Sequence, residues 1–176
     1  NQSIIVIPDL HISEVLHTKN NFKLVNNQKI NFIWEGFSGG LHKIVKDLFK
    51  LMANIDKNIL LNIVTDPHTY LIGDRYIKIN TEKYLMKMSK KYRIEVKFWS
   101  WSKNNLNRAI ECSDLGIILI PQENKIMQNK PENKLVLLSS FNLPVLVSST
   151  PSYKRYIYDS GGKKLYDLST NLKKFE

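Results

Sequence analysis

The fold is decided by residues 130–147, whose sequence is KPENKLVLLSSFNLPVLV. Pro131 suits the first position of a helix, because the N–H that proline lacks would have no intrahelical partner there. An apolar helical body follows, then a turn at Asn142 and an apolar run over 144–147 that predicts a buried strand. The stretch therefore predicts one helix–strand unit of an α/β protein.

The start of this predicted helix has the composition of an anion site. Glu132 lies in the first turn, where the helix dipole favours negative charge, and Lys130 and Lys134 flank it. Free N–H groups and two ammonium groups together suit a phosphate. A well-capped helix with solvated lysines is the alternative, and this stretch taken alone favours that alternative.

Strands and helices alternate on the amino-terminal side of this unit. The run Leu115–Ile120 is continuously apolar, as in the central strand of a parallel sheet that is covered on both faces. Residues 68–79 fit neither pattern. The other predicted strands are 30–34, 59–64, 94–99 and 144–147, and the other predicted helices are 41–53, 81–92 (capped by Thr81), 103–112 and 151–158. This alternation predicts an α/β fold with a Rossmann-like, doubly wound parallel sheet.

The pattern divides the chain into three parts. Residues 1–29 contain an apolar run at Ile4–Ile7 and are otherwise polar, so we expect the end of a preceding region or a linker. Residues 30–160 hold the predicted Rossmann-like domain. Residues 161–176 are expected to form a basic C-terminal tail or helix.

The composition is that of an ordinary globular protein with a basic surplus. Hydrophobic residues make up 43%, and the net charge is +10, which indicates an anionic partner. A phosphorylated ligand and an anionic membrane surface fit better than nucleic acid, because the lysines are spread along the chain. Cys112 is the single cysteine, so no intrachain disulfide forms, and no apolar run reaches the roughly 18 residues of a membrane span.

Ligands of doubly wound sheets bind beyond the carboxyl ends of the strands. One such loop, Gly36–Gly40, is either a flexible turn or a phosphate-binding loop. Trp99 and Trp101 either pack against a neighbouring helix or form a wall for a base. Glu123 lies in the loop 121–130, where a carboxylate accepts ribose hydroxyls, and the hydroxyl-rich loop 148–153 completes the edge. No metal-ligand spacing, cofactor motif or self-contained catalytic group is found, so none is assigned.

The order of these features resembles the C-terminal, nucleotide-sugar-binding half of GT-B-fold glycosyltransferases of the group 1 type. The resemblance covers about residues 30–158 and rests on the glycine-containing loop, the strand that ends at Trp99, the segment Asp114–Pro121 and the stretch 130–147. It is strongest to bacterial polysaccharide and lipopolysaccharide enzymes, whose motif runs as Asn-Arg/Lys-Leu, an apolar helix and then Gly-Leu-Pro-Val. It implies one half of a GT-B fold, with the acceptor site in a preceding N-terminal half.

The resemblance also implies roles for particular residues. The donor diphosphate would lie at Ser38, Gly39, Gly40, Lys43, Asn133 and Lys134. The nucleobase and ribose would lie near Trp99, Trp101 and either Glu123 or Glu132, because the position of the family's ribose-binding glutamate is Leu137 here. The chemistry implied is glycosyl transfer without a bound metal, in which lysines and helix N–H groups stabilise the leaving diphosphate.

Two functions stay open from the sequence. The first is the donor-binding domain of a glycosyltransferase of cell-surface polysaccharide or lipopolysaccharide synthesis, with a nucleotide sugar and an N-terminal domain of the same protein as partners. Such a protein is expected in the cytoplasm, with peripheral contact to the inner membrane as an option, and without nucleic acid. The second is a degenerate Rossmann-like binding module without catalysis, which the leucine at position 137 motivates.

Overall fold

A computed structural model of the chain describes residues 29–55, 58–72, 76–120 and 128–159. The elements in chain order are β1 (Ile30–Glu35), α1 (Ser38–Ala53), β2 (Ile59–Thr65), β3 (His68–Ile72), β4 (Tyr76–Asn80), α2 (Thr81–Tyr92), β5 (Glu95–Ser100), α3 (Lys103–Glu111), β6 (Leu115–Ile118), α4 (Asn133–Ser140), β7 (Val145–Val147) and α5 (Pro151–Asp159). The predictions for residues 1–28, for Glu123 and for residues 160–176 lie outside the described residues. The three-part division of the chain stays a prediction.

Five strands form one parallel sheet in the order β5-β2-β1-β6-β7. From β1 the chain moves outward through β2 to β5, then crosses back to β6 on the other side of β1 and continues to β7. The two directions diverge between β1 and β6, so the topological switch point of the sheet lies there. The predicted α/β class with a Rossmann-like, doubly wound parallel sheet is confirmed.

The sheet is covered on both faces because its strands are apolar on both faces. In β1, Phe32 and Trp34 belong to one buried cluster, which includes side chains of α1 and α2. Ile33, between them, belongs to a second cluster with side chains of α3 and α4. Ile33 is fully buried, and burial of a side chain of that size contributes about 1.5–3 kcal/mol. The alternation places β1 at the centre of both cores.

Residues 68–80, most of which fitted no pattern, form an antiparallel hairpin of β3 and β4 in a separate two-stranded sheet. The hairpin packs against α1 rather than extending the main sheet. The hydroxyl of Ser38 donates a hydrogen bond of 2.8 Å to the carbonyl of His68. Because the hairpin finds its partner in a helix that precedes it by some thirty residues, local periodicity gave no signal for it.

The prediction that Gly36–Gly40 is a loop was wrong for most of its length, because α1 begins at Ser38 rather than at Leu41. The residue before the helix, Phe37, makes no side-chain cap. The cap comes instead from Asp66, whose carboxylate accepts a hydrogen bond of 3.0 Å from the backbone N–H of Ser38. A cap supplied from another strand lengthens the helix by one turn relative to its local sequence signal.

The remaining corrections are small. Helix α4 begins at Asn133, two residues after Pro131, so the proline precedes the helix rather than opening it. Helix α2 is capped by Asn80, whose side chain accepts from the backbone N–H of Lys83, and not by Thr81. The other strand and helix ends differ by one or two residues from those predicted, which is the usual scatter at the ends of elements.

Candidate functional site

The candidate site lies at the switch point, where β1 ends in Trp34-Glu35-Gly36. Gly36 has φ of +149°, and both of its backbone polar groups are held by β2. Its N–H donates to the carbonyl of Val64 at 3.1 Å, and its carbonyl accepts from the hydroxyl of Thr65 at 2.6 Å. The backbone at the carboxyl end of β1 is therefore fixed.

Lys134, in the first turn of α4, reaches over this end of β1. Its ammonium donates a hydrogen bond of 2.7 Å to the main-chain carbonyl of Glu35 and lies 3.8 Å from the carboxylate oxygen Oε1 of the same residue. It also lies 4.9 Å from the centroid of the Trp34 ring, within reach of a cation–π attraction. Three contacts with consecutive residues place the positive charge at the switch point.

Glycine at position 36 makes room for this ammonium. A Cβ built on Gly36 would lie 2.1 Å from Nζ of Lys134 and 3.1 Å from the ring of Trp34. Any larger residue would displace the lysine, and its φ is one that side-chain-bearing residues rarely adopt. Trp34 thus supplies an aromatic ring and Glu35 a carbonyl and a carboxylate, and Gly36 leaves the space in which the ammonium of Lys134 lies.

The two charges at this position differ in their exposure. Only 10% of the Glu35 side chain is exposed, and burial raises the pKa of its carboxyl group, an effect that the charge of Lys134 opposes. Burial lowers the pKa of Lys134, Glu35 raises it, and the charge of Lys130 lowers it. Lys134 is the more exposed side chain of the pair, with 36% of its surface open to solvent.

The start of α5 closes the other side of the site. Tyr153 is buried, and burial, followed by the charges of Glu35 and Glu132, raises its pKa to about 12. The phenol is therefore neutral at physiological pH. The hydroxyl of Ser152 donates to the carbonyl of Lys130 at 2.7 Å, which fastens α5 to the segment before α4.

The two helix N-termini that were predicted to bind a diphosphate differ in the charged groups that lie next to them. At α1, the N–H of Ser38 is bonded to the carboxylate of Asp66, so a negative charge already occupies that end. At α4, the N-cap residue Glu132 makes no side-chain cap, and Lys134 lies in the first turn. The positive end of the dipole and a positive side chain therefore coincide at α4, which makes α4 the better anion site.

The other predicted diphosphate residues are placed around these two helix ends. Ser38 is buried and its hydroxyl is engaged by His68, whereas Gly39 and Gly40 border open space, since a Cβ on either would meet nothing within 4 Å. Lys43 is exposed one turn further along α1. Asn133 is the first residue of α4 and adjoins Lys134.

The predicted base and ribose residues are not gathered at Lys134. Trp99 is buried on β5, two strands away from β1, and its indole N–H donates to Asn62 at 3.0 Å. The packing alternative for Trp99 therefore holds, whereas 57% of Trp101 is exposed at the end of the same strand. Glu132 accepts two hydrogen bonds, of 3.0 and 3.1 Å, from the guanidinium of Arg155.

Sequence reasoning missed Glu35 and did not single out Tyr153. The signal for Glu35 was available, because a carboxylate directly after an apolar strand in a parallel sheet lies at the ligand edge. Tyr153 belonged to the hydroxyl-rich loop but gave no sign of its burial. The contact of Glu35 with Lys134, about a hundred residues away along the chain, left no local signal.

Comparisons with known proteins add little to this geometry. No family model and no curated protein matches the chain. Among solved structures, the apo form of the lipopolysaccharide outer core galactosyltransferase WaaB is similar, with 16% sequence identity and a TM-score of 0.49. The matched region is 84% of this chain and 38% of the length of that enzyme. The similarity concerns the course of the chain and carries no argument about function.

Two features are absent from the described residues, a metal-binding cluster and a membrane-spanning helix. No group of three or more His, Cys, Asp or Glu side chains in that part of the chain is arranged to hold a metal ion. None of the helices in the described ranges combines the length and the apolar character needed to cross a membrane. At the switch point, the described residues place the ammonium of Lys134 next to the positive end of the α4 dipole.

Proposed function

We propose that the chain binds the diphosphate of a nucleotide sugar and serves as the donor-binding half of a glycosyltransferase. The observation that supports this most is the ammonium of Lys134 at the carboxyl end of β1, beside the switch point and in the first turn of α4. The sequence resemblance of residues 130–147 to the donor-binding motif of group 1 enzymes points to the same helix.

In such a reaction the bond between the anomeric carbon and the diphosphate oxygen breaks, and the diphosphate leaves with an additional negative charge. Lys134 and the first N–H groups of α4 would stabilise that charge, each charge-assisted contact contributing roughly 1.5–3 kcal/mol. Gly39 and Gly40 leave open space beside the same edge of the sheet. The acceptor site and the groups that act on the acceptor would belong to a further domain.

We assign the activity to cell-surface polysaccharide or lipopolysaccharide synthesis at the cytoplasmic side of the inner membrane. The net charge of +10 supports a peripheral contact with anionic lipid. The exposed face of α2 is suited to this contact, because Lys83, Lys87 and Lys90 follow one another at helical spacing there.

A second candidate is a binding module that recognises a nucleotide without turning it over. Leu137 favours it, since this side chain packs against the apolar cluster of α3 and α4 at the position of the family's ribose-binding glutamate. Asp66 favours it as well, because its carboxylate would repel a diphosphate at α1. Transfer or hydrolysis of a bound sugar would separate the two candidates.

The test is binding of nucleoside diphosphates and nucleotide sugars of the uridine, thymidine, adenosine and guanosine series, measured by thermal shift and calorimetry. A ligand at a hundred times its Kd should stabilise the protein by about 2.7 kcal/mol. Lys134→Met should weaken binding at least about tenfold, because it removes one charge-assisted contact.

Lys50→Met is the matched control, since Lys50 is an exposed lysine in the last turn of α1 and should bind the ligand as the wild type does. Each variant is compared with its own unliganded Tm, so that a change in stability is not mistaken for a change in affinity. Absence of binding across all four series, or unchanged affinity in Lys134→Met, would refute the proposal.

A further inference from the structure

A buried carboxylate beside an anion site requires an explanation. Glu35 is almost enclosed, and burial of a carboxylate is unfavourable unless a partner compensates for the lost hydration. The ammonium of Lys134 gives its hydrogen bond to the main-chain carbonyl of Glu35, which any residue at this position would supply. The carboxylate, at 3.8 Å, contributes charge rather than a hydrogen bond to the lysine.

The groups that surround this carboxylate come from α4 and α5. Lys134, Lys130 and Glu132 lie at or just before the start of α4, and Tyr153 faces the site from α5. Glu132 is held by the guanidinium of Arg155, so its charge is compensated locally. Tyr153 is a neutral phenol whose pKa is raised first by burial and then by the charges of Glu35 and Glu132.

Glu35 therefore lowers the positive charge that the site offers to an anion. With the carboxylate present, Lys134 and Glu35 together carry no net charge, and an incoming phosphate meets an attractive ammonium with a repulsive carboxylate behind it. The attraction at close contact stays, because the ammonium is the exposed partner of the pair. The repulsion grows with every additional negative charge on the ligand.

We propose that Glu35 determines the charge of the ligand that this site accepts, favouring the diphosphate diester of a nucleotide sugar over the free nucleoside diphosphate. The proposal rests on the proposed function, since it assumes that a diphosphate binds at Lys134. The terminal phosphate of a nucleoside diphosphate is a monoester and carries one more negative charge near neutral pH than the same phosphate in a nucleotide sugar. Glu35 thereby favours release of the diphosphate product and its exchange for a new donor.

The experiment compares the Kd of a nucleoside diphosphate with that of the corresponding nucleoside diphosphate glucose, by calorimetry at pH 7.5. Glu35→Gln keeps the shape of the side chain and removes its charge. We expect it to tighten binding of the nucleoside diphosphate about tenfold and binding of the nucleotide sugar about threefold, because the first ligand carries the larger charge. A role of Glu35 in structure alone would change both Kd values by the same factor.

Asp47→Asn is the control, since Asp47 is an exposed carboxylate on α1 and its removal changes the net charge equally. It should leave the ratio of the two Kd values as in the wild type. Equal factors for the two ligands in Glu35→Gln, or the same change of ratio in Asp47→Asn, would overturn the inference.

A second measurement uses the wild-type protein and so does not depend on the folding of a variant. A bound diphosphate adds negative charge beside Glu35 and favours its protonated form, so binding should take up protons. Diphosphate diesters do not titrate between pH 6 and 8, so calorimetry of the nucleotide sugar in buffers of different ionisation enthalpy reports uptake by the protein. The affinity should rise as the pH falls through this range.

The outcomes distinguish the two proposals. Binding without proton uptake, together with an unchanged ratio in Glu35→Gln, overturns the role of Glu35 and leaves donor binding intact. Absence of binding by every nucleotide of the four series overturns donor binding, and the role of Glu35 with it. If Glu35→Gln does not fold, the pH dependence of proton uptake by the wild type decides. Uptake that grows as the pH falls from 8 to 6 supports Glu35, whereas uptake that grows as the pH rises comes from Lys134, whose pKa burial lowers, and overturns the inference.

Discussion

At the scale of single residues, the site depends on Gly36, a residue without a side chain. Gly36 leaves the volume in which the ammonium of Lys134 lies, and its φ of +149° aims the chain from β1 into α1. The backbone of this glycine is bonded to both Val64 and Thr65, so it cannot move aside to admit a larger residue. The end of β1, the start of α1 and the ammonium of Lys134 therefore all lie close to Gly36.

We expect Gly36→Ala to lower the free energy of unfolding by about 1–3 kcal/mol, because it adds backbone strain and displaces Lys134. Urea denaturation measures this directly. Gly39→Ala is the matched control, since a Cβ at Gly39 meets open space in the first turn of a helix, where alanine is preferred to glycine by up to about 1 kcal/mol. Equal stability of the two variants would show that position 36 imposes no such constraint.

Individual residues also show where prediction from sequence reaches its limit. Lys134 was predicted because helix starts, prolines and lysines have local signatures. Glu35 was missed because its importance arises from a contact with Lys134, and nothing in the residues around it indicates that contact. Ser38 was predicted to face a phosphate, but its N–H and hydroxyl are bonded to Asp66 and His68.

At the scale of elements, α1 and α4 show how two helix starts acquire different roles. Both follow strands of the parallel sheet, and both were predicted to bind the diphosphate. Asp66 caps α1 from the end of β2, whereas α4 has Lys134 in its first turn and no side-chain cap from Glu132. The start of α1 is capped by a carboxylate from another part of the chain, whereas the start of α4 carries a positive side chain in its first turn.

We expect Asp66→Ala to destabilise the protein by about 1 kcal/mol, because it removes both a cap and a favourable charge at the positive end of α1. Thermal or urea unfolding is the measurement, and Asp47→Ala, an exposed change within the same helix, is the control. A loss no larger than that of the control would mean that the hydrogen bond to Ser38 does not stabilise α1.

The beginnings of elements were harder to predict than their bodies for the same reason. The body of α1 was predicted correctly because its apolar residues recur at helical spacing. Its start was misplaced because the cap, Asp66, is 28 residues away in sequence. The hairpin of β3 and β4 was missed because it packs against α1 and not against a strand of the main sheet.

At the scale of the whole molecule, a buried network of hydrogen bonds connects β5 and β2 with α3. Asn62, fully buried at the centre of β2, accepts from the indole N–H of Trp99 at 3.0 Å and donates to the hydroxyl of Ser113 at 3.1 Å. Ser113 in turn donates to the carbonyl of Ala109 at 2.7 Å. Because an indole N–H can only donate, it fixes the orientation of the amide.

We expect Asn62→Ala to cost about 2–4 kcal/mol of unfolding free energy, because it removes the acceptor of the buried Trp99 indole N–H and one of the hydrogen bonds to Ser113. Urea denaturation followed by tryptophan fluorescence measures the loss, and Trp99 is one of the three tryptophans that contribute to the signal. Asn58→Ala, an exposed change just before β2, should be close to neutral. A comparable loss at Asn58 would contradict the role of the network.

The fold class of the molecule could be predicted from the sequence, but the order of the strands in the sheet could not. Alternation of apolar strands with amphipathic helices indicated a doubly wound parallel sheet, and the structure has one. The location of the switch point was not predicted, because the order β5-β2-β1-β6-β7 follows from the point at which the chain reverses its direction across the sheet. Without that order, the strand end at Trp99 and Trp101 could not be distinguished from the strand end at Glu35, which lies at the switch point.

The central position of β1 has a consequence for the newly made chain. Its pairing with β2 forms early in synthesis, but its other edge waits for β6, where Phe32 pairs with Leu115. At ordinary rates of translation that edge stays open for on the order of ten seconds, and an open apolar edge is a template for aggregation. Lys134 follows β6 in the chain, so its contact with Glu35 forms only once the residues of β6 have been made. We expect a ligand that binds at Lys134 to favour, by mass action, the molecules in which this contact and the central sheet have formed.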